Sequence, residues 1–371
     1  MSEGKSAALE PIGIDGVEIR NRFVRSATWD STASDDGEVT DLSVEVIERL
    51  ARGGVGLIVT GYAYVSEHGK AAVRQLGISQ DRHIEGMRRL AGAAHDGGAR
   101  IAMQIAHGGL NLLLLGRTDR VAIGPSRLEN IHADHRAMTP AEIEEIVADF
   151  GAAAARAKEA GFDAVQLHGA HGYLISQFLS PLSNRRTDQW GGSPENRRRF
   201  PIEVMRSVRR AVGDDYPVWI KLGLQDHADD GLQLEEGLEV LKALIAEGLS
   251  AVEISAGRPA QSTRVHKPDE EERPYFRADS AAAKRLFDIP VMLVGGIRSL
   301  SMADDIIRSG DADMISMCRP LIREPDLIAR WQRGDTEAVR CLSCNKCFQF
   351  GVRGEALECA EERRLREEAT E

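Results

Sequence analysis

Short runs of Val, Ile, Leu and Ala recur along the chain. Between them lie longer stretches in which apolar residues return every three or four positions. Eight runs read as strands: Phe23–Ala27, Gly56–Thr60, Ile101–Ile105, Ala164–His168, Val218–Leu222, Ala251–Ser255, Val291–Gly295 and Asp313–Met317. Their apolar character is mostly continuous rather than cleanly alternating, as a strand buried on both faces requires. Helices are expected in turn over Ser43–Arg52, His83–His95, Pro140–Glu159, Glu195–Val212, Leu234–Glu247, Ser280–Phe287, Ser301–Ser309 and Glu324–Arg333. The third has a start signal: Thr139 as cap, Pro140 in first position, and Glu142 three residues after the cap. Ser193 and Ser299 are read as caps of the helices that follow them.

Strict alternation of eight strands with eight helices predicts an α/β protein with a parallel sheet, and eight is the number that closes into a (β/α)8 TIM barrel. An open doubly wound sheet is the rival. It usually carries a Gly-rich phosphate loop after its first strand. Here the first strand runs into Thr28-Trp29-Asp30. The barrel is assigned to residues 1–335. Residues 336–371 form a short cysteine-rich extension, whose charged end from Glu358 reads as a solvated helix or a frayed tail.

Composition narrows the function. The net charge is -11, which argues against nucleic acid as the main partner, since phosphate neutralisation needs clustered Lys and Arg. No run of 18 uncharged apolar residues is present, so no membrane helix is expected. Met1–Glu10 lacks the apolar centre of a signal peptide, and a cytoplasmic location is expected. Four of the five cysteines fall between Cys341 and Cys359, which in a reducing compartment points to metal or cluster ligation before disulfides. The partner is expected to be a small-molecule substrate. The oligomeric state stays open, a homo-oligomer included.

Barrel active sites lie where strands end and loops begin. The polar or small residues there are Ser26 and Thr28, Gly61, Gln104 and His107, His168 and His171, Lys221, Ser255, Gly295 and Gly296, and Arg319. The densest group is His168-Gly-Ala-His171-Gly-Tyr173. Either histidine could simply satisfy backbone groups, or the pair could begin a zinc site, although no third ligand is near in sequence. As a functional group, two imidazoles can donate to one carbonyl or nitro oxygen while a phenol supplies a proton. Cys341-x2-Cys344-x2-Cys347-x11-Cys359 offers four thiolates to a [4Fe–4S] cluster or to zinc, or else is a remnant of free thiols. The acidic run Asp269–Glu272 reads as a solvated loop, and His132 and His135 as surface residues.

The run from Gln166 to Phe200, QLHGAHGYLISQFLSPLSNRRTDQWGGSPENRRRF, resembles the signature of the old yellow enzyme family. So do the opening Glu10-Pro11-Ile12 through Asn21-Arg22, the segment Gln104-Ile-Ala-His107-Gly108-Gly109, and the pair Val294-Gly295-Gly296-Ile297 and Arg319-Pro320-Leu321-Ile322. The resemblance covers roughly residues 9–333, in order, and a multi-part match is far more specific than one short motif. It implies FMN as cofactor and NADH or NADPH as reductant. Ser26, Ala27 and Thr28 would pass the flavin edge, Gly61 would lie beside it, and Gln104 would bond its pyrimidine side. Lys221 would place positive charge near N1 and O2. Gly295, Gly296, Cys318 and Arg319 would surround the phosphate. His168 and His171 would bind the substrate's activating oxygen, with Trp29 beside the substrate and Tyr173 as proton donor.

Three positions depart from the family. Trp29 stands where many relatives carry a small polar residue or a cysteine, Ser31 where some bacterial relatives have a substrate-binding tyrosine, and Cys318 where glycine is usual. The cysteine spacing, with Asn345, resembles the cluster segment of trimethylamine dehydrogenase and its larger relatives, 2,4-dienoyl-CoA reductase among them. Trimethylamine dehydrogenase bonds its flavin through a cysteine at the position of Trp29, so the resemblance implies a non-covalent flavin here. The expected activity is reduction of an activated alkene. One rival is oxidation of an amine or other small donor with electrons leaving through a cluster. The other is an electron-transfer module serving a partner protein.

Overall fold

The computed structural model describes residues 5–115, 120–257 and 274–370. Eight parallel strands form the barrel: β1 (Phe23–Arg25), β2 (Leu57–Val59), β3 (Arg100–Ala106), β4 (Ala164–Gly169), β5 (Val218–Gly223), β6 (Ala251–Ser255), β7 (Val291–Val294) and β8 (Met314–Met317). Each pairs with the next, and β8 pairs with β1, so the sheet closes without a free edge. All eight expected strands are present, and the (β/α)8 barrel is the observed fold.

The outer helices are α1 (Asp41–Arg52), α2 (His83–Asp96), α3 (Pro140–Glu159), α4 (Pro194–Val212), α5 (Leu234–Ala246), α6 (Arg277–Leu286), α7 (Leu300–Arg308) and α8 (Leu327–Gln332). Thr139 caps α3 with the reciprocal Glu142 bond, and Ser193 and Ser299 cap α4 and α7 through their hydroxyls. The helix expected over Glu324–Arg333 starts later, and a separate turn of helix, Arg319–Arg323, precedes it. Pro325 is the reason: its ring disfavours helical backbone at Glu324, which sits at φ -127°, ψ 81°.

Side chains alternate strictly along the strands. Phe23, Ile58, Ile101, Met103, Ile105, Val165, Leu167, Ile220, Leu222, Val252, Ile254, Leu293 and Ile315 face the helices. Val24, Leu57, Val59, Ala102, Ala164, Trp219, Ala251, Met292 and Met314 fill the interior at one end. An antiparallel hairpin, Ile12–Ile14 with Val17–Ile19, plugs that end with Ile14 and Ile19. Sequence reading treats this segment only as a family opening. Its local signal is Asp15-Gly16, both at positive φ (43° and 81°), the two-residue turn a right-twisted hairpin prefers.

The extension turns back over the barrel mouth. Leu357 N–H donates to the Asp30 carbonyl at 2.8 Å, and an Arg74 Nη1 donates to the Gly354 carbonyl at 3.0 Å. Its end is the helix Ala360–Thr370, with no buried residue, as a solvated helix should be. His135 departs from expectation. It is buried, with Nε2 accepting from Leu128 N–H at 2.9 Å and Nδ1 2.8 Å from the Ala133 carbonyl, so it fastens its own loop. The Asp269–Glu272 run lies outside the described residues. Among the described residues no helix is long and apolar enough to cross a membrane.

Candidate active site

Two residues along each strand from the apolar floor, the interior turns polar. Gln104 on β3, Gln166 on β4, Lys221 on β5, Glu253 on β6 and Ser26 just past β1 are all buried. Each replaces an apolar residue at an inward position of its strand, and a buried polar group needs a partner. They supply one another. Lys221 Nζ donates to Ser26 Oγ at 2.7 Å, and Ser26 donates to Glu253 Oε1 at 2.7 Å. Gln166 Nε2 donates to Glu253 Oε2 at 2.9 Å, and Gln104 Nε2 to Gln166 Oε1 at 2.7 Å.

Above this layer stand four rings. His168, at the end of β4, lies 4.3 Å from the Tyr173 ring centre and 5.2 Å from His171. Tyr62, from the loop after β2, lies 5.1 Å from Tyr173. His171 sits at φ 59°, a left-handed conformation that a non-glycine residue rarely adopts. Its backbone is held by bonds from its N–H to the Ala256 carbonyl and from Asn111 Nδ2 to its own carbonyl, both 3.0 Å. Its Nε2 is 2.7 Å from Ser255 Oγ. His168 Nδ1 is buried without a hydrogen-bond partner among the described residues. No third ligand joins the pair: among the described residues, no group of three His, Cys, Asp or Glu side chains is placed to hold a metal ion.

Burial decides the protonation of this cluster. It holds His168 well below the usual imidazole range, helped by His171 and by the Lys221 ammonium. Burial and Lys221 together bring His171 down to about 3. Both rings are therefore neutral at pH 7, each with one N–H to give. Burial pushes the Tyr173 phenol up to about 12, against the opposing effect of a hydrogen bond with Tyr62. Tyr173 thus keeps its proton at any ordinary pH.

The loops at the mouth are packed closely. A Cβ on Gly61 would meet the Thr28 carbonyl oxygen at 2.7 Å, so the strand ends β1 and β2 approach backbone to backbone. Gly295 and Gly296 are both left-handed, at φ 97° and 81°, and a Cβ on Gly295 would meet the Tyr275 ring at 2.9 Å. Thr28 Oγ1 lies 3.0 Å from Cys318 Sγ. Ala27 is half-buried beside them. Trp29 is buried, its indole N–H donating to the Val73 carbonyl at 3.1 Å. Ser31, in a small cavity with Trp29, Gly61 and Tyr62, has a buried hydroxyl without a partner among the described residues.

Arg319 turns toward the extension, donating from Nη1 to Asn345 Oδ1 at 2.6 Å and to the Ser343 carbonyl at 3.2 Å. Arg298 donates to the Cys341 carbonyl at 2.9 Å. Cys341, Cys344, Cys347 and Cys359 line one cavity with Arg319 and Arg323. Their placement does not amount to a ready ligand set among the described residues.

The fold therefore gathers Ser26, Thr28, Trp29, Gly61, Gln104, His168, His171, Tyr173, Lys221 and Ser255 at one end of the barrel. His107 is buried apart from them, its ring stacked at 6.3 Å on His68. Tyr62, Gln166 and Glu253 were not singled out from sequence. For the last two a signal existed: Ala-Val-Gln-Leu-His and Ala-Val-Glu-Ile-Ser each put a polar residue on the inward face of a buried strand. Tyr62 gave none beyond its place next to Gly61.

Comparison with known proteins agrees with this architecture. Residues 8–337 match the model of the NADH:flavin oxidoreductase / NADH oxidase family, and the chain belongs to that family. An NADH oxidase of Thermoanaerobacter brockii is 38% identical over 336 residues, covering 90% of this chain and 52% of that protein. An NADPH dehydrogenase of Geobacillus sp. (strain WCH70) is 37% identical over 323 residues, covering 85% of this chain and 91% of its own. Among solved structures, 2-naphthoyl-CoA reductase in complex with 2-naphthoyl-CoA superposes with a TM-score of 0.89 at 30% identity, over 95% of this chain and 56% of that one. The chain thus spans about half the length of the first and third of these relatives.

Proposed function

We propose that this chain is an FMN-dependent reductase of activated alkenes that draws hydride from NADH or NADPH. The observation that carries the reading is the pair of neutral, buried imidazoles at His168 and His171 beside a protonated Tyr173, set above a polar layer that contains a cation. Bound FMN would supply the hydride chemistry between nicotinamide and alkene. The residues supply the rest. His168 and His171 donate to the oxygen of the activating carbonyl or nitro group, which gathers charge as the alkene is reduced. Tyr173 gives its proton to the carbon next to that group. Trp29 bounds the substrate side.

Several features fit the flavin. Gly61 lets the ends of β1 and β2 approach backbone to backbone, and Ser26, Ala27 and Thr28 would line the flavin edge. Gln104 and Lys221 would face the pyrimidine. Gly295, where a Cβ would meet the Tyr275 ring, and Gly296, also left-handed, would offer bare backbone to the phosphate, and Cys318 and Arg319 would close that end. Trp29 leaves no thiol at the position of covalent attachment. We assign residues 1–335 to the barrel and 336–371 to the extension, in a cytoplasmic protein acting on a small-molecule substrate, as a homo-oligomer or alone. The experiment is anaerobic purification followed by NADH or NADPH and then an activated alkene such as an enone. Bleaching of the yellow colour and its return with the alkene support the reading. A flavin that neither nicotinamide reduces sinks it.

A second reading is favoured by the shared cavity of the four cysteines at the barrel mouth. Thiolates at Cys341, Cys344, Cys347 and Cys359 would hold a [4Fe–4S] cluster, and the same site would oxidise a small donor such as an amine, with electrons leaving through the cluster. Iron and sulfide analysis of anaerobically prepared protein tests the ligand set. About four irons per chain support it; one zinc and no iron, or no metal, overturn it. Bleaching by an amine but by neither nicotinamide would favour the donor reading.

A further inference from the structure

The polar layer of the barrel has a direction, and Glu253 sets it. Glu253 and Lys221 are register partners on β6 and β5, with Oε2 and Nζ 3.4 Å apart. Ser26 bridges them, accepting from Lys221 and donating to Glu253 Oε1. A carboxylate only accepts, so the Gln166 amide must turn its NH2 to Oε2. Its carbonyl is then the end offered to Gln104, which must donate in turn. The Gln104 carbonyl is left as the free end of the chain, with no hydrogen bond among the described residues. The floor beneath is Trp219, Met292 and Met314, all fully buried, so these groups have one another rather than water as partners.

We propose that Glu253 is a positioning residue for the flavin: its carboxylate locks Gln104 as a hydrogen-bond acceptor two residues away and offsets the charge of Lys221. The inference rests on the FMN reading above. The ring's pyrimidine edge carries an imide N–H between two carbonyls. An acceptor at Gln104 suits the N–H, and a cation at Lys221 suits a neighbouring carbonyl. With Gln or Leu at 253, both glutamine amides are free to flip, and the Lys221 charge is no longer balanced. Electrostatic effects of this kind are strong where water is excluded. The unbalanced cation favours the reduced, anionic flavin over the oxidised form.

The test uses the FMN-loaded protein and reads the midpoint potential by dye equilibration, with the FMN dissociation constant alongside. Glu253→Gln is expected to favour reduced over oxidised FMN about tenfold, which for a two-electron couple is a rise of about 30 mV. The rise should vanish when Lys221→Met is already present, because a buried carboxylate without its cation takes up a proton, a coupling that a general loosening of the fold would not give. Gln166→Leu breaks the relay but spares the Lys221–Ser26–Glu253 bridge. It is expected to weaken FMN binding about tenfold while leaving the potential close to wild type, a size set by one lost buried hydrogen bond. An unmoved or lowered potential in Glu253→Gln, or wild-type FMN affinity in Gln166→Leu, overturns the proposal. Should Glu253→Gln fail to fold, Glu253→Asp keeps the charge but withdraws it by one methylene. A smaller rise in potential supports the proposal, and unchanged potential and affinity overturn it. A chain that binds no FMN fails the functional reading itself, whereas bound FMN with an unshifted potential fails only this inference.

Discussion

The indole of Trp29 meets the ring of Phe348 edge-on, with centroids 5.9 Å apart and planes at 70°. One residue follows strand β1 at the mouth of the barrel, and the other follows Cys347 in the extension. Gly351 presses on the six-membered ring of the same indole, where a Cβ would stand 3.1 Å from it. The extension is thus seated on the loop that leads into the site. Trp29→Ala should release it, since an aromatic pair contributes about 0.5–1.5 kcal/mol beyond its burial. Limited proteolysis should then cut faster between Cys341 and Cys359, with the barrel left intact. An unchanged cleavage pattern would place the anchor elsewhere.

His168 and His171 both have N–H groups to give and are neutral at pH 7. A phenol added to the FMN-loaded protein should therefore bind as its anion over the flavin and produce a long-wavelength charge-transfer band. The double substitution His168→Ala and His171→Ala should remove the band while FMN stays bound. Loss of two hydrogen bonds to a charged oxygen corresponds to about 1.5–3 kcal/mol each. If the band survives the double change, the two imidazoles do not hold the oxygen.

With its phenol pushed up to about 12, Tyr173 keeps its proton at ordinary pH, so in the proposed role of proton donor its availability does not change there. Stopped-flow rates of alkene reduction should be level from about pH 6 to about pH 10, as the group titrates only above that window. Tyr173→Phe should slow this half-reaction by roughly 10²–10⁴-fold. Flavin reduction by the nicotinamide should be nearly unaffected. Tyr62→Phe removes the hydrogen bond that opposes the rise, so Tyr173 would release its proton less readily, and the same half-reaction should slow by a smaller factor. Equal slowing of both halves would make Tyr173 a structural residue.

His107 is buried and held down to about 3 by burial and by the neighbouring His68. Its folded value lies below its unfolded one, so the unfolded chain binds the proton first. Stability is then lost as pH falls below about 6.5 and goes on being lost toward about 3, by up to ~1.4 kcal/mol per pH unit. His107→Asn keeps an acceptor for the Gly109 N–H that now bonds Nδ1 at 3.1 Å. Urea midpoints at pH 7 and pH 5 should show the wild type losing up to roughly 2 kcal/mol more than the variant. Equal losses would mean that His107 charges without penalty.

The barrel was legible because its rule is local. Strands buried on both faces must be apolar throughout, and helices must show one apolar stripe, so Val218–Leu222 and Pro140–Glu159 identify themselves without reference to each other. Ser26, His168 and Lys221 were legible for a related reason: in a barrel the chain ends of the strands meet, so polar residues there must face a common space. Pro325 shows the limit of periodicity, as one ring divided what the pattern joined.

What the sequence alone determined, then, is the succession of eight strand–helix units and the polar residues at their ends, because both follow from which side of a short segment is wet or dry. Which polar residues touch was decided only by closure of the sheet. Glu253 and Lys221 are 32 positions apart and Ser26 is 195 from Lys221, yet register places all three in one layer. The seating of Phe348 on Trp29, the hydrogen bond between Tyr62 and Tyr173, and the turn of Arg319 toward Asn345 belong to the same class. Each depends on distances between loops that no local pattern encodes, since side-chain contacts across a closed barrel are set by strand register and by how tightly the backbones pack at Gly61 and Gly295.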